Sequence, residues 1–216
     1  MNQDVIGRML QNNEEWVENQ LALDPNFFEN LSQGQSPSIL WIGCADSRVP
    51  PNEITQTHPG DIFVHRNIAN LVVQTDMNML SVLQYAVDVL KVKHVIVCGH
   101  YGCGGVLAAM GTNQYGLIDN WLRTIKDTQN YYWKQLKNLD ENAQGRRLVE
   151  LNVIEQVYNL GKTNTVQNAW KDKTGLQLHG WVYDLKTGKI RTQTSQIGSE
   201  ESLKETCKFE QGIIGN

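Results

Sequence analysis

The stretch SILWIGCADSRVP, residues 38–50, decides the fold and sets a chemical question. Ile39, Leu40, Trp41 and Ile42 are apolar at consecutive positions, so the strand they predict is buried on both faces, as in the interior of a parallel sheet. The run stops at Cys44. A thiol, a carboxylate and a guanidinium then stand at alternate positions, Cys44, Asp46 and Arg48. A second stretch, HVIVCGH at 94–100, has the same form: it is apolar, short, and ends in His100, with Cys103 three residues on.

Working outward, DIFVHR (61–66) reads as another short strand. Pro51 suits the first turn of a short helix, where its missing N–H costs little. Thr75 or Asp76 can cap a helix through MNMLSVLQYAVDVLK, with Leu80, Leu83, Val87 and Leu90 on one stripe. A glycine-rich turn after His100 leads into a helix at GVLAAM. Helical patterns cover 117–137, 146–160 and NTVQNAWKD, and LQLHGWVYDL and KIRTQTSQI flank a KTGK turn as a strand pair. Strands alternating with helices predict an α/β fold, a mostly parallel sheet flanked by helices. Upstream, Val5, Ile6, Met9, Leu10, Trp16, Val17 and Leu21 recur at helical spacing and predict an amphipathic helix with no apolar neighbour in sequence. DPNFFENLSQGQSPS then reads as a loop. The expected organisation is a single domain over 1–216 with an N-terminal helical arm over 1–35.

The 216 residues suffice for one sizeable core. With 40% hydrophobic and 19% charged residues the chain reads as globular rather than disordered. A net charge of −4 and the lack of a Lys/Arg run argue against nucleic-acid binding. Its apolar stretches fall far short of the ~20 residues of a membrane span. The N-terminal stretch is charged early and has no apolar core of a secretory signal, so a cytoplasmic location is expected. In that compartment disulfides are not the expected use of Cys44, Cys98, Cys103 and Cys207.

In open parallel sheets, function gathers at the carboxyl ends of the strands. Adjacent strands lie only ~5 Å apart, so Cys44 can meet His100 and Cys103 around one ion, and two thiolates with an imidazole suit zinc. Buried thiols and a turn histidine are the plainer readings of each residue alone, but they leave the pairing of the two strand ends unexplained. Cys98, inside a strand, reads as a packed thiol, and Cys207 as incidental. Three protein ligands leave a fourth position for water, whose pKa zinc lowers from 15.7 towards ~7. Asp46 can either close that position or pair with Arg48 and leave it open.

Taken together, CADSRVPPNEI, GDIFVHRNIANLV and CGHYGCGGV resemble the β-class carbonic anhydrases, over about Ser38 to Ile197. The resemblance implies zinc bound by Cys44, His100 and Cys103, an Asp46–Arg48 catalytic dyad, reversible hydration of CO₂ to bicarbonate and a proton, and a homodimer or a tetramer built from dimers, with the N-terminal helix wrapped on a partner subunit. WIGC, VHRNIANLV and HGWVYDL further resemble the type II bacterial subgroup. That implies a second, regulatory bicarbonate pocket at Trp41, Arg66 and Tyr183, and a closed state with Asp46 on zinc. Three rivals are weighed against this. A CS₂ or COS hydrolase on the same scaffold needs the same residues, a catalytically silent bicarbonate-binding protein predicts a lost dyad, and a thiol redox protein predicts no stoichiometric metal.

Overall fold

Two strands buried along almost their whole length, at 39–44 and 94–100, organise the molecule. The computed structural model describes residues 4–211, with side chains described up to Thr206. Contacts divide the chain into Met1–Ser36 and Pro37–Asn216. In the first unit α1 (Val5–Leu23) starts at Asp4, whose side chain accepts the Gly7 N–H at 2.8 Å, and none of its residues is buried. The expected loop after it contains a short helix, α2 (Phe27–Ser32). Its cause is aromatic packing rather than periodicity: Phe27 and Phe28 meet the Trp16 ring edge-on at centroid distances of 6.2 and 5.3 Å.

In the second unit β1 (Ile39–Cys44), β2 (Ile62–Asn67), β3 (His94–His100), β4 (Gln177–Asp184) and β5 (Lys189–Thr192) form one sheet in the order β2-β1-β3-β4-β5. The first four run parallel, and β5 pairs antiparallel with β4. The mostly parallel α/β sheet read from the sequence is therefore the fold. Leu40, Ile42, Val95, Val97, Leu178 and Val182 point from one face into the main core. Trp41, Ile96 and Cys98 belong to a smaller cluster on the other face, joined by Trp181 and Tyr183. Each fully buried aliphatic side chain contributes about 1.5–3 kcal/mol, so a one-residue slip in any of these strands would exchange the two faces.

The helices follow the strands. Between β1 and β2 runs α3 (Pro51–Thr55), with Pro51 in its first turn. Between β2 and β3 runs α4 (Met77–Gln84), capped by Asp76, whose carboxylate accepts from Asn78 N at 3.0 Å. The stripe continues, but its last turn, Tyr85–Val89, widens to π-helical geometry. After β3 come α5 (Gly104–Met110), α6 (Ile118–Tyr131), α7 (Trp133–Leu136), α8 (Glu141–Gly161) and α9 (Asn164–Lys171). The α8 helix begins earlier than its apolar pattern suggests, because Asp140 caps it and accepts the Ala143 N–H at 2.9 Å. A further helix, α10 (Glu200–Gln211), follows β5 and is absent from the sequence reading. Its Leu203 is fully buried against Gly161. The Cys207 side chain lies outside the described residues. Among the described residues no helix is long and apolar enough to cross a membrane.

Candidate metal centre and active site

Parallel pairing places the carboxyl ends of β1 and β3 side by side, with Gly43 opposite Cys98. Cys44 ends β1 and His100 ends β3, so both are delivered to the same edge. The chain then turns through Gly102, whose φ of +72° is a left-handed conformation that glycine adopts without strain. The turn returns Cys103 to the ends of the strands at the start of α5. The donor atoms of Cys44, His100 and Cys103 all lie within 4.8 Å of one another, and the three residues are buried. Among the described residues no other trio of His, Cys, Asp or Glu converges this way.

The donor set fits zinc. The two sulfurs are 3.9 Å apart, and two Zn–S bonds of about 2.3 Å at a tetrahedral angle span about 3.8 Å. His100 is fully buried, its Nδ1 lies 3.2 Å from the Tyr101 carbonyl, and its Nε2 has no hydrogen-bond partner. A bare, buried imidazole nitrogen facing two sulfurs, with its other nitrogen held by a carbonyl, is the arrangement of a metal ligand. The electrostatics agree. The Cys103 thiol, the His100 imidazole and the backbone amides of Asp46 and Ala69 together favour the Cys44 thiolate. That neighbouring sulfur, together with burial, pushes Cys103 the other way. One thiolate beside one thiol is what two close sulfurs settle into without a cation, and a divalent cation removes the conflict.

Asp46 stands beside this group. Arg48 donates Nε to Oδ1 at 2.9 Å and Nη2 to Oδ2 at 2.7 Å, and its backbone N–H adds a bond to Oδ1 at 3.0 Å. These bonds hold the Asp46 carboxyl well below the usual carboxylate range. Its Oδ2 nevertheless lies 3.6 Å from His100 Nε2. The carboxylate thus faces the ligand group while both of its oxygens are engaged by Arg48. The dyad that a silent binding protein would lack is present and paired.

Trp41, Arg66 and Tyr183 share the face of the sheet opposite the main core. Trp41 is buried, and its ring meets Trp181 edge-on at 6.0 Å. Tyr183 packs on the same cluster. Arg66, opposite Gly43 in the register of β1 and β2, donates Nε to the Cys44 carbonyl at 2.9 Å and Nη2 to the Asp46 carbonyl. Its guanidinium therefore grips the backbone of the first motif, a contact that spacing did not disclose. Cys98 is fully buried on this face and outside the ligand trio, and burial raises its thiol far above the usual range.

The family comparison now has a geometry to stand on. The carbonic anhydrase family model matches residues 39–190, and the structure is similar to a Coccomyxa β-carbonic anhydrase in complex with acetazolamide, with a TM-score of 0.89 and 34% identity over 96% of this chain and 98% of that one. The chain belongs to the β-class carbonic anhydrases. Among curated relatives, the carbonic anhydrase of Emericella nidulans is 45% identical over 185 residues, covering 85% of this chain and 81% of the relative. The carbonic anhydrase of Synechococcus elongatus is 31% identical over 189 residues, covering 84% and 69%. A tetrameric β-carbonic anhydrase from Sordaria macrospora has a TM-score of 0.87 and 38% identity over 90% of this chain and 100% of that chain. As a carbonic anhydrase, the protein is an enzyme of CO₂ hydration, and its Cys-His-Cys group suits the zinc on which the β class depends.

Proposed function

We propose that Cys44, His100 and Cys103 hold one zinc ion and that Asp46, fixed by Arg48, directs the attacking water onto CO₂. The observation that carries this is the bidentate Asp46–Arg48 pair standing 3.6 Å from the bare His100 nitrogen. Zinc bound by these groups supplies the acidity that lets a water act as nucleophile near neutral pH. The chain's own residues supply direction. Asp46, ionised at neutral pH, is an acceptor only. It takes a hydrogen bond from the water's remaining O–H and so turns a lone pair towards the carbon. Arg48 keeps the carboxylate from moving onto the metal position and leaves that position open. Bicarbonate and a proton are the products. Stopped-flow CO₂ hydration with metal content per chain tests the reading. One zinc per chain, with activity lost on chelation and restored by zinc, is the expected result. Hydration by a metal-free chain overturns it.

Bicarbonate-linked switching of the type II kind forms part of the same proposal, supported by the Arg66 contacts. An anion bound by Arg66 near Trp41 and Tyr183 competes for the donors now on the Cys44 and Asp46 carbonyls. Loosening that backbone favours release of Asp46 from Arg48 and its movement towards the metal position. Such a ligand acts only through its differential affinity for the two states. We further propose a homodimer or tetramer in which the exposed apolar stripe of α1, with Ile6 67% and Leu10 64% exposed, covers a second copy. A cytoplasmic location is proposed with this reading, and cell fractionation tests it.

A further inference from the structure

The backbone just after β2 is unusual. Ala69 and Asn70 have φ of 62° and 50°, a left-handed conformation that asparagine tolerates and alanine rarely adopts. Both are buried, at 0% and 1% exposure. They lie against the metal group: Asn67 is opposite Cys44 in the register of β1 and β2, and its carbonyl accepts the Ala45 N–H at 2.8 Å. Ala69, two residues later, is buried in the same cluster as Cys44 and Cys103. The turn therefore packs between the ligand-bearing end of β1 and the start of α5, where a Cβ at Gly105 would lie 3.2 Å from that of Ala69, and the Asn67 side chain brackets it by bonding the Leu71 N–H and carbonyl, both at 2.8 Å.

A further support comes from α8. Asn152, Gln156 and Asn159 stand on one stripe of that helix, and the first two are buried at 1% and 0% exposure amid an otherwise apolar core. Their amides form one chain with a single donor direction. Asn159 Nδ2 donates to Gln156 Oε1 at 3.3 Å, Gln156 Nε2 donates to Asn152 Oδ1 at 3.0 Å, and Asn152 Nδ2 donates to the Ala69 carbonyl at 3.1 Å. Gln156 Oε1 also accepts the Val72 N–H at 2.9 Å, and Asn159 Nδ2 reaches the Val72 carbonyl at 3.3 Å. Buried amides linked in this way polarise one another and fix a single arrangement. The ladder ends on the Ala69 carbonyl, in the turn that packs beside Cys44.

We propose that Asn152, Gln156 and Asn159 are positioning residues for the metal centre, holding the left-handed Ala69 turn that packs beside Cys44 and so fixing the position of that ligand. The inference rests on Cys44 being a zinc ligand. Partners that orient a ligand or tune its charge typically change metal affinity by about 10–100-fold when removed.

The test uses the zinc-loaded enzyme and its cobalt-exchanged form. Asn152→Ala is compared with Val157→Ala, a truncation in the core of the same helix. Both variants are expected to melt at lower temperature. Only Asn152→Ala is expected to lower zinc affinity, by about 10–100-fold, and to shift the near-ultraviolet thiolate-to-cobalt absorption. A second arm introduces Ala69→Gly, which adopts the same φ without strain. In that background the Asn152→Ala effect on zinc affinity is expected to shrink, a non-additivity that a double-mutant cycle reads directly. If Asn152→Ala does not fold, Asn159→Ala at the outer end of the ladder carries the same comparison. Zinc affinity and cobalt absorption unchanged from the Val157→Ala control, or strictly additive effects with Ala69→Gly, overturn the proposal. A wild-type chain with no stoichiometric zinc and no thiolate-to-cobalt band overturns the zinc reading beneath it, and the two failures are distinct.

Discussion

Asp46→Asn separates catalysis from metal binding. The substitution keeps the volume and one carbonyl-type oxygen but removes the charge. In the native arrangement each carboxylate oxygen accepts from the Arg48 guanidinium, at 2.9 and 2.7 Å, and Oδ1 also accepts the Arg48 backbone N–H. Asparagine can keep the two bonds to Oδ1, but its NH₂ then faces Arg48 Nη2, donor against donor. Arg48 is 59% exposed, so it can swing into water, and an exposed pair adds little to stability. Fold and zinc content are therefore expected to survive. Activity is not, because the amide presents a donor where the water's O–H needs an acceptor. The loss of a positioned acceptor costs about 10²–10⁴-fold, expected here in kcat and in kcat/KM alike. The assay is stopped-flow CO₂ hydration on protein of verified zinc content and unchanged melting temperature. Activity within a few-fold of wild type would refute the assigned role of Asp46. Loss of zinc with loss of activity would show instead that the carboxylate belongs to the metal group.

Substituting Trp41→Phe, Arg66→Ala or Tyr183→Phe is expected to relieve inhibition by bicarbonate, read as the dependence of the initial rate on added bicarbonate. Arg66→Ala also leaves the Cys44 and Asp46 carbonyls without their side-chain donor and is expected to lower stability by about 1–3 kcal/mol in urea unfolding. Cys98→Ser places a hydroxyl in a fully buried apolar cluster and is expected to cost about 1–3 kcal/mol with zinc per chain unchanged; a fall in zinc content would make Cys98 a ligand. Glu155 gives a pH signature. Burial raises its pKa, against an opposing hydrogen bond from Tyr132 at 3.4 Å. A carboxyl raised in the folded state binds protons more tightly there than in the unfolded chain. Its contribution is therefore most favourable below the unfolded value of about 4.3 and is lost as pH rises through the folded one. Glu155→Gln is expected to raise the melting temperature at pH 7 by a few degrees and to lose that advantage near pH 4. An equal gain at both pH values would contradict the burial argument.

The parts legible in the sequence are those governed by short-range rules. Continuous apolarity at Ile39–Ile42 and at Val95–Val97 marks strands buried on both faces. Cysteine and histidine at the ends of those strands mark chemistry, because parallel neighbours bring their carboxyl ends to one common edge of the sheet. Asp46 and Arg48, two residues apart, can pair without any tertiary information. What stayed hidden depends on contacts distant in sequence. The α2 helix forms around Trp16, and α10 buries Leu203 against Gly161, which neither local pattern announces. Arg66 looks like an ordinary strand residue until the register of β2 on β1 puts its guanidinium under the Cys44 and Asp46 carbonyls.

The polar residues of α8 show the same limit from the other side. Asn152 and Gln156 interrupt an apolar helix pattern, and by composition alone they read as its solvent face. Their burial makes sense only against the left-handed turn at Ala69, over eighty positions away in sequence for the Asn152 bond. A local rule is broken on both sides, a non-glycine residue in left-handed backbone and amides in a hydrophobic core, and each violation satisfies the other. Such paired violations are costly to maintain where no function depends on them. Gln56, Lys91 and Lys173 are also left-handed but exposed; the left-handed pair that is buried, Ala69 and Asn70, lies in or beside the cluster that holds Cys44 and Cys103.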